Sequence, residues 1–196
     1  MSCAGHGTGF ATQRRTTGTP QRFPGGSAER RNCRQALHLR PMALDADGAL
    51  VIDYARDLFA ISFGRTRFVE QFGGDGSGYI PWLAQKQLAS PANAALAMLA
   101  GRPAGMVVVG CWPDDPAIGY VYHYYLAPHA RGRGLAAQLD AYAASRLIRS
   151  GYAECRLSVA ETNQRAIRFY AKQGWAPAGP RADQPGILYM SRGLPV

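Results

Sequence analysis

The sequence predicts an α/β domain containing one locally parallel strand pair, and three observations carry that expectation. Apolar strand-like runs interleave with segments of helical period along most of the chain. A strand pattern rich in Tyr and Val at 118–126, a helical pattern at 132–150 and a further strand pattern at 152–159 follow one another directly. A strand–helix–strand unit of that length crosses over and leaves its two strands parallel. The length of 196 residues suits one domain with an appendage and is sufficient to bury a full core.

The elements follow in order. Residues 1–35 are rich in Gly, Thr, Pro, Ser and Arg and show no apolar period, so they read as a disordered, Arg-rich N-terminal extension. A single domain is expected over 36–196. It opens with a short strand at 36–40. Asp45 or Asp47 is positioned to cap a helix reaching residue 63, with Val51, Tyr54, Leu58 and Ile61 on its apolar face. The glycine-dense stretch FGGDGSG at 72–78 reads as a loop. A second helix fits 79–88 and stops before Pro91.

The character then changes to strand. The apolar runs 94–100 and 105–112 flank Gly101-Arg102-Pro103-Ala104 and read as a hairpin, and PDDP at 113–116 turns the chain into the strand at 118–126. In the helix that follows, Leu135, Leu139, Ala143 and Leu147 form one i, i+4 row, and Gly151 ends it. After the strand at 152–159 come a helix at 162–173, its stop at Gly174 and a last strand at 187–191. The predicted order is β-α-α-β-β-β-α-β-α-β.

Composition excludes several classes. No apolar run approaches the roughly 18 residues of a membrane span. The start, MSCAGHGTGFATQRR, lacks the apolar region of a secretory signal. Cys3, Cys33, Cys111 and Cys155 are far apart without a C-x-x-C pair, and the four His are scattered, so neither a disulfide framework nor a metal site is expected. A reduced, cytoplasmic protein is the default expectation. The net charge of +9 is concentrated in residues 1–40, which hold seven Arg against Glu29. Such a tail can bind nucleic acid through counterion release. A solvated extension, an early-assigned start with Met42 just inside the domain, or a transit-like leader are the preferred readings over nucleic-acid binding.

The segment most suited to chemistry is Leu126-Ala-Pro-His-Ala-Arg131-Gly-Arg-Gly134-Leu-Ala136, where a strand passes into a helix. Gly132 and Gly134 carry no side chains to block a ligand, so backbone N–H groups can face it. The helix N-terminus adds about half a positive charge. Together these form an anion cradle of the kind that binds phosphates, and Arg131 and Arg133 add fork-like donors. The spacing is neither that of a P-loop nor of a dinucleotide fingerprint. A second segment, Asn163-Gln-Arg-Ala166-Ile-Arg-Phe-Tyr170-Ala-Lys-Gln-Gly174-Trp175, opens the next helix. Two turns bring Asn163 and Tyr170 to one face, about 10 Å apart, with small Ala166 between them.

With both segments in view, the chain resembles the GNAT superfamily of N-acetyltransferases. The family's [Q/R]-x-x-G-x-[G/A] signature stands as Arg131, Gly134 and Ala136, preceded by Leu126-Ala127-Pro128. The later N-x-x-A-x-x-x-Y-x-x-x-G-[F/W] pattern stands as Asn163, Ala166, Tyr170, Gly174 and Trp175. The resemblance covers about 104–176 most closely and extends from residue 36. It implies a central, mostly antiparallel sheet with a parallel pair splayed at an acetyl-CoA site and flanked by helices.

It further implies acetyl-CoA as cosubstrate, no metal, an amine acceptor as partner, and a homodimer as an assembly common among such proteins. By position, Arg131, Gly132, Arg133, Gly134, Leu135 and Ala136 would hold the CoA pyrophosphate. A bulged strand ending at Leu126 and Ala127 would meet the pantetheine and the acetyl carbonyl, and Asn163 would contact the arm. Tyr170 would protonate the leaving thiolate as general acid, and attack would be direct, without an acyl-enzyme. Strand positions that carry a Glu in some branches stand here as Tyr120 and Ser158. His123, Glu161 or water ordered by the tyrosines are the candidate bases. Strict alternation puts Tyr120 and His123 on opposite faces unless the bulge re-aims one of them. Acceptor selection is expected from about 63–88, with Phe68, Tyr79 and Trp82. Cys111 and Cys155 are expected in the core. The alternative function is a catalytically weak CoA-binding sensor or interaction module of the same fold.

Overall fold

The computed structural model describes residues 36–195. The expectation of disorder over 1–35 therefore lies outside the described residues, as do Cys3 and Cys33. Seven strands form one sheet: β1 Leu37–Pro41, β2 Ala94–Leu99, β3 Arg102–Cys111, β4 Gly119–Leu126, β5 Glu154–Ala160, β6 Ala176–Pro180 and β7 Ile187–Gly193. Their order is β1-β2-β3-β4-β5-β7-β6. Every pairing is antiparallel except β4 with β5. Five helices flank it: α1 Leu44–Ser62, α2 Arg67–Phe72, α3 Tyr79–Ala89, α4 Ala136–Arg149 and α5 Gln164–Lys172. This is the mixed sheet with one parallel pair that the sequence predicted.

Both faces of the sheet are covered, which explains the unbroken apolar run of β3. Met106 and Val108 pack on one side with Val51, Ala55 and Phe59 of α1, Phe68 and Phe72 of α2 and Leu83 of α3. Val107 and Val109 pack on the other with Ala143 and Leu147 of α4, Leu157 of β5 and Met190 of β7. The i, i+4 row of α4 is buried from Leu139 through Leu147, as its spacing predicted.

Several details depart from the sequence reading. α2 occupies a stretch to which the sequence reading assigns no element, held by the burial of Phe68 and Phe72. β6 is an exposed strand, APAGP, that exists through its pairing with β7. The hairpin turn is tighter than 101–104: Ala100 and Gly101 take φ of +50° and +78°, the mirror-image turn that matches strand twist. Neither Asp45 nor Asp47 is the N-cap of α1. Ala43 takes that place, and Asp47 reaches back to accept its N–H at 2.8 Å while pairing with Arg40 at 2.7 Å. α4 starts at Ala136 rather than at 132, because Gly132 and Gly134 both adopt φ of +74°. Ile61 is 54% exposed instead of buried with its row. Cys155 is buried as expected, but Cys111 is exposed at the end of β3.

One irregularity governs the site. Across the β3–β4 ladder, Val108 faces His123 and Val109 faces Val121, so Tyr122 is an extra residue in β4. This β-bulge reverses the facing of the strand on either side of it. Val121 and Tyr124 pack on the α4–α5 side, whereas His123 and Tyr125 turn toward α1–α3. The parallel pairing with β5 also ends here, covering Gly119–Val121 against Cys155–Leu157. Beyond that point the two strands diverge.

Candidate active site

The divergence of β4 from β5 opens a cavity of about 680 Å³. Its walls are the far half of β4, the end of β5, the Arg131–Ala136 turn and the inner face of α5. Proline and glycine shape the turn: Pro128 starts a short 3₁₀ segment, and the positive φ of Gly132 and Gly134 folds the chain into the first turn of α4. A Cβ at either glycine would meet nothing within 4 Å, so the turn borders open space. The N–H groups of residues 132–135 have no backbone acceptor among the described residues. No acid stands in the first turn of α4, so its positive end is not offset there. Such an arrangement has the geometry to seat a diphosphate-like anion.

Of the residues expected at a cofactor, Leu126, Arg131, Gly132, Gly134, Leu135, Ala136, Asn163 and Tyr170 line this cavity. Arg133 is exposed and outside the lining. Ala127 is buried, and its N–H is already donated to the Ala104 carbonyl at 2.8 Å. Arg131 is held back from the cavity centre. Its Nε donates to the Leu126 carbonyl at 2.8 Å, and its terminal nitrogen pairs with Asp57 of α1 at 2.8 Å. Tyr125 donates to the same Asp57 carboxylate at 2.7 Å. These two donors hold the Asp57 carboxyl below its ordinary range, the phenol contributing most and the guanidinium less. Asp57 thus ties α1 to the turn, a role that its position mid-helix did not signal.

Asn163 caps α5, its Oδ1 accepting the Ala166 N–H at 3.1 Å. Ala166 and Tyr170 share its face and also border the cavity. The Tyr170 ring lies 6.1 Å from those of Tyr124 and Trp175. Burial pushes the Tyr170 phenol above its ordinary value, so it stays protonated at neutral pH. Close enough to act on the Tyr170 phenol is an acid of α4 to which the sequence analysis gives no role. Asp140 is buried and accepts from Tyr124, Trp175 and Arg192 at 3.1, 2.9 and 2.7 Å.

A second cavity, of about 320 Å³, lies on the α1–α3 side and shares Phe63, Tyr122 and Ser158 with the first. Because of the bulge, Tyr120 and His123 both line it. Tyr120 and Ser158 are hydrogen-bonded at 2.7 Å, with Arg181 donating to Ser158 at 3.4 Å. His123 is buried, and its Nδ1 is 2.9 Å from the Tyr79 hydroxyl. Burial, with a smaller contribution from Lys86, pushes its pKa down to about 3, so it is neutral at physiological pH. Glu161 is exposed and lines neither cavity. Trp82 walls the second cavity as expected, whereas Phe68 and Tyr79 are buried core residues behind it. Arg181 and Tyr189, from β6–β7, complete the wall. The sequence reading places the strand at 187–191 but misses its partner at 176–180, and gives neither Arg181 nor Tyr189 a site role.

Comparison with known proteins places this geometry. No curated protein matches the chain in sequence. Among solved structures, the PaiA N-acetyltransferase of Thermoplasma acidophilum, in complex with coenzyme A, is similar at TM-score 0.66 and 15% identity over 81% of this chain and 99% of that one. The yncA protein of Salmonella typhimurium, solved with its cofactor acetyl-CoA, is similar at TM-score 0.65 and 17% identity over 82% and 95%. Ard1 of Thermoplasma volcanium is similar at TM-score 0.57 and 17% identity over 82% and 99%. These likenesses speak for the fold. The model of the acetyltransferase (GNAT) family matches residues 54–175, which include the splayed strands, the glycine turn and α5. The chain belongs to the GNAT acetyltransferase family.

Proposed function

We propose that this chain moves an acetyl group from acetyl-CoA to a primary amine of a small molecule or protein by direct attack. The observation that supports it most is the meeting of two cavities, one on each side of the sheet, at Phe63, Tyr122 and Ser158. One offers a seat for a phosphorylated carrier, and the other an aromatic-walled entry for an acceptor. When bound, acetyl-CoA supplies an activated thioester, and no metal is needed for its aminolysis. In this reading the N–H groups of Gly132 to Leu135 bind the diphosphate, the Arg131 N–H being engaged by the Pro128 carbonyl, with Arg131 and Arg133 adding positive field. The backbone of β4 up to Leu126 aligns the arm, Ala127 being buried with its N–H engaged by Ala104, and a β4 N–H polarises the carbonyl; such donors are worth about 10²–10³ in rate. Asn163 and Ala166 border the arm.

Tyr170 donates its proton to the departing sulfur. The proton of the amine leaves through the hydroxyl pair Tyr120–Ser158 and water. His123, a candidate base, has its Nδ1 engaged by the Tyr79 hydroxyl and its basicity lowered by burial, which disfavours it for that step. Glu161, the other candidate, is exposed and lines neither cavity, which disfavours it. A panel of primary amines with purified protein and acetyl-CoA, read as release of free thiol, tests the reading. Turnover on at least one amine is expected, and coenzyme A binding without turnover on any would refute it. That second outcome defines the alternative, a CoA-binding sensor or interaction module. The observation favouring it is the Tyr120–Ser158 pair, two hydroxyls standing where a carboxylate base serves in other branches.

A further inference from the structure

The acceptor-side cavity is unevenly charged. Arg67, Lys86 and Arg181 line it against a single carboxylate, Asp114. Two of the cations are already partnered. Arg181 pairs with Asp183 through two nitrogens at 2.7 and 3.0 Å, and Arg67 is 3.6 Å from Glu70. Lys86 differs. None of the ion pairs among the described residues involves it. Its ammonium lies over the Tyr122 ring at 4.1 Å and the Trp82 ring at 5.2 Å. Tyr122 is one of the three residues where the cavities meet. Ring faces attract a cation but satisfy none of its three hydrogen-bond donors. Burial pushes the Lys86 amine below its ordinary value, a sign that the charge is short of solvation.

We infer that the acceptor-side cavity takes a small amine that also carries a carboxylate or an equivalent anionic group, with Lys86 as the residue that selects it. That the occupant is an acceptor rests on the acetyl-transfer reading; that it is an anion does not. An amine lacking the acid leaves Lys86 uncompensated beside its two rings, while an amine with a further positive charge meets three cations. The aromatic walls, Trp82, Trp112 and Tyr122, suit an apolar body between the two ends.

The test separates anion binding from transfer by using ligands with no amine. Binding of 3-phenylpropionate and of 3-phenylpropan-1-ol is measured calorimetrically on the full chain, its Lys86→Met variant and its Lys86→Arg variant. A charge-assisted hydrogen bond of this kind favours the acid by about tenfold to a hundredfold. The expected result is that preference in the parent chain, its loss in Lys86→Met and its retention in Lys86→Arg. Equal binding of acid and alcohol, no binding of either, or a preference that survives Lys86→Met overturns the inference. An amine panel without turnover would refute acetyl transfer and leave this ratio unchanged, so the two failures are distinguishable.

Discussion

Asp140 is the residue whose removal the structure prices most directly. It is 3% exposed, and its two oxygens receive Tyr124, Trp175 and Arg192. Asp140→Asn preserves volume, so no cavity opens; what disappears is the negative charge. Arg192 then carries a guanidinium of 14% side-chain exposure with no carboxylate, and its Nε and second terminal nitrogen already lack hydrogen-bond partners among the described residues. Stripping one partner from a buried pair costs about 3–5 kcal/mol. The asparagine oxygen can still accept from Trp175, and the Trp175 face still holds the guanidinium at 4.6 Å, so the low end applies. For a chain of this size about 3 kcal/mol lowers Tm by roughly 6–12 °C. Thermal unfolding followed by circular dichroism measures it, with a urea midpoint as check. Asp140→Asn combined with Arg192→Met recovers part of the loss, because the orphaned charge goes too. A single-variant shift under about 2 °C, or a double variant worse than the sum of both singles, would refute the reasoning.

Other expectations follow from the site and from α1. Tyr170→Phe lowers kcat by about 10²–10⁴ while sparing acetyl-CoA affinity, measured by steady-state kinetics beside a binding titration; unchanged turnover removes the acid role. Gly134→Glu projects bulk and negative charge into the anion seat and abolishes coenzyme A binding. Gly134→Ala, which bears the same strain at φ +74° without the charge, is the control that retains measurable affinity. Asp47 has its carboxyl held below the ordinary 3.8, chiefly by the Arg40 hydrogen bond. A depressed folded-state value adds stability that is present above the unfolded pKa and lost as pH falls through the folded one. The urea midpoint of the parent chain should therefore exceed that of Asp47→Asn at pH 6, with the gap narrowing below about pH 4.

What the sequence made legible was what local pattern controls. The i, i+4 row of α4, the apolar runs of β2 and β3 and the spacing of Asn163, Ala166 and Tyr170 each depend on neighbours within a few turns, and each stands where its pattern put it. The misses have long-range causes. APAGP at 176–180 holds two prolines and a glycine, and its extended form is imposed by β7. α2 is six residues long, too short to show a period, and is fixed by aromatic contacts of Phe68 and Phe72 with Phe59. Asp57 reaches Arg131 across 74 positions of sequence, so nothing near either residue announces the pair.

The bulge at Tyr122 shows why the site needs both local and distant information. GYVYHYYL contains no proline to break the ladder, and its alternation alone would set Val121 and His123 on one face. The insertion shows only in the register against β3, between Val108 and Val109; further along the same ladder, Gly105 admits the Tyr125 carbonyl so closely that a Cβ there would overlap it. One extra residue then has two consequences. It turns Tyr120 and His123 to the same cavity, and the added twist carries β4 away from β5 directly after Val121. The part of β4 facing β5 is left without its neighbouring strand, deep in a sheet covered on both faces. Backbone N–H and C=O groups in such a place require partners. The register shift leaves an edge that seeks hydrogen bonds, the glycine turn beyond Leu126 sets an anion seat at its end, and an extended ligand with a phosphorylated head meets both.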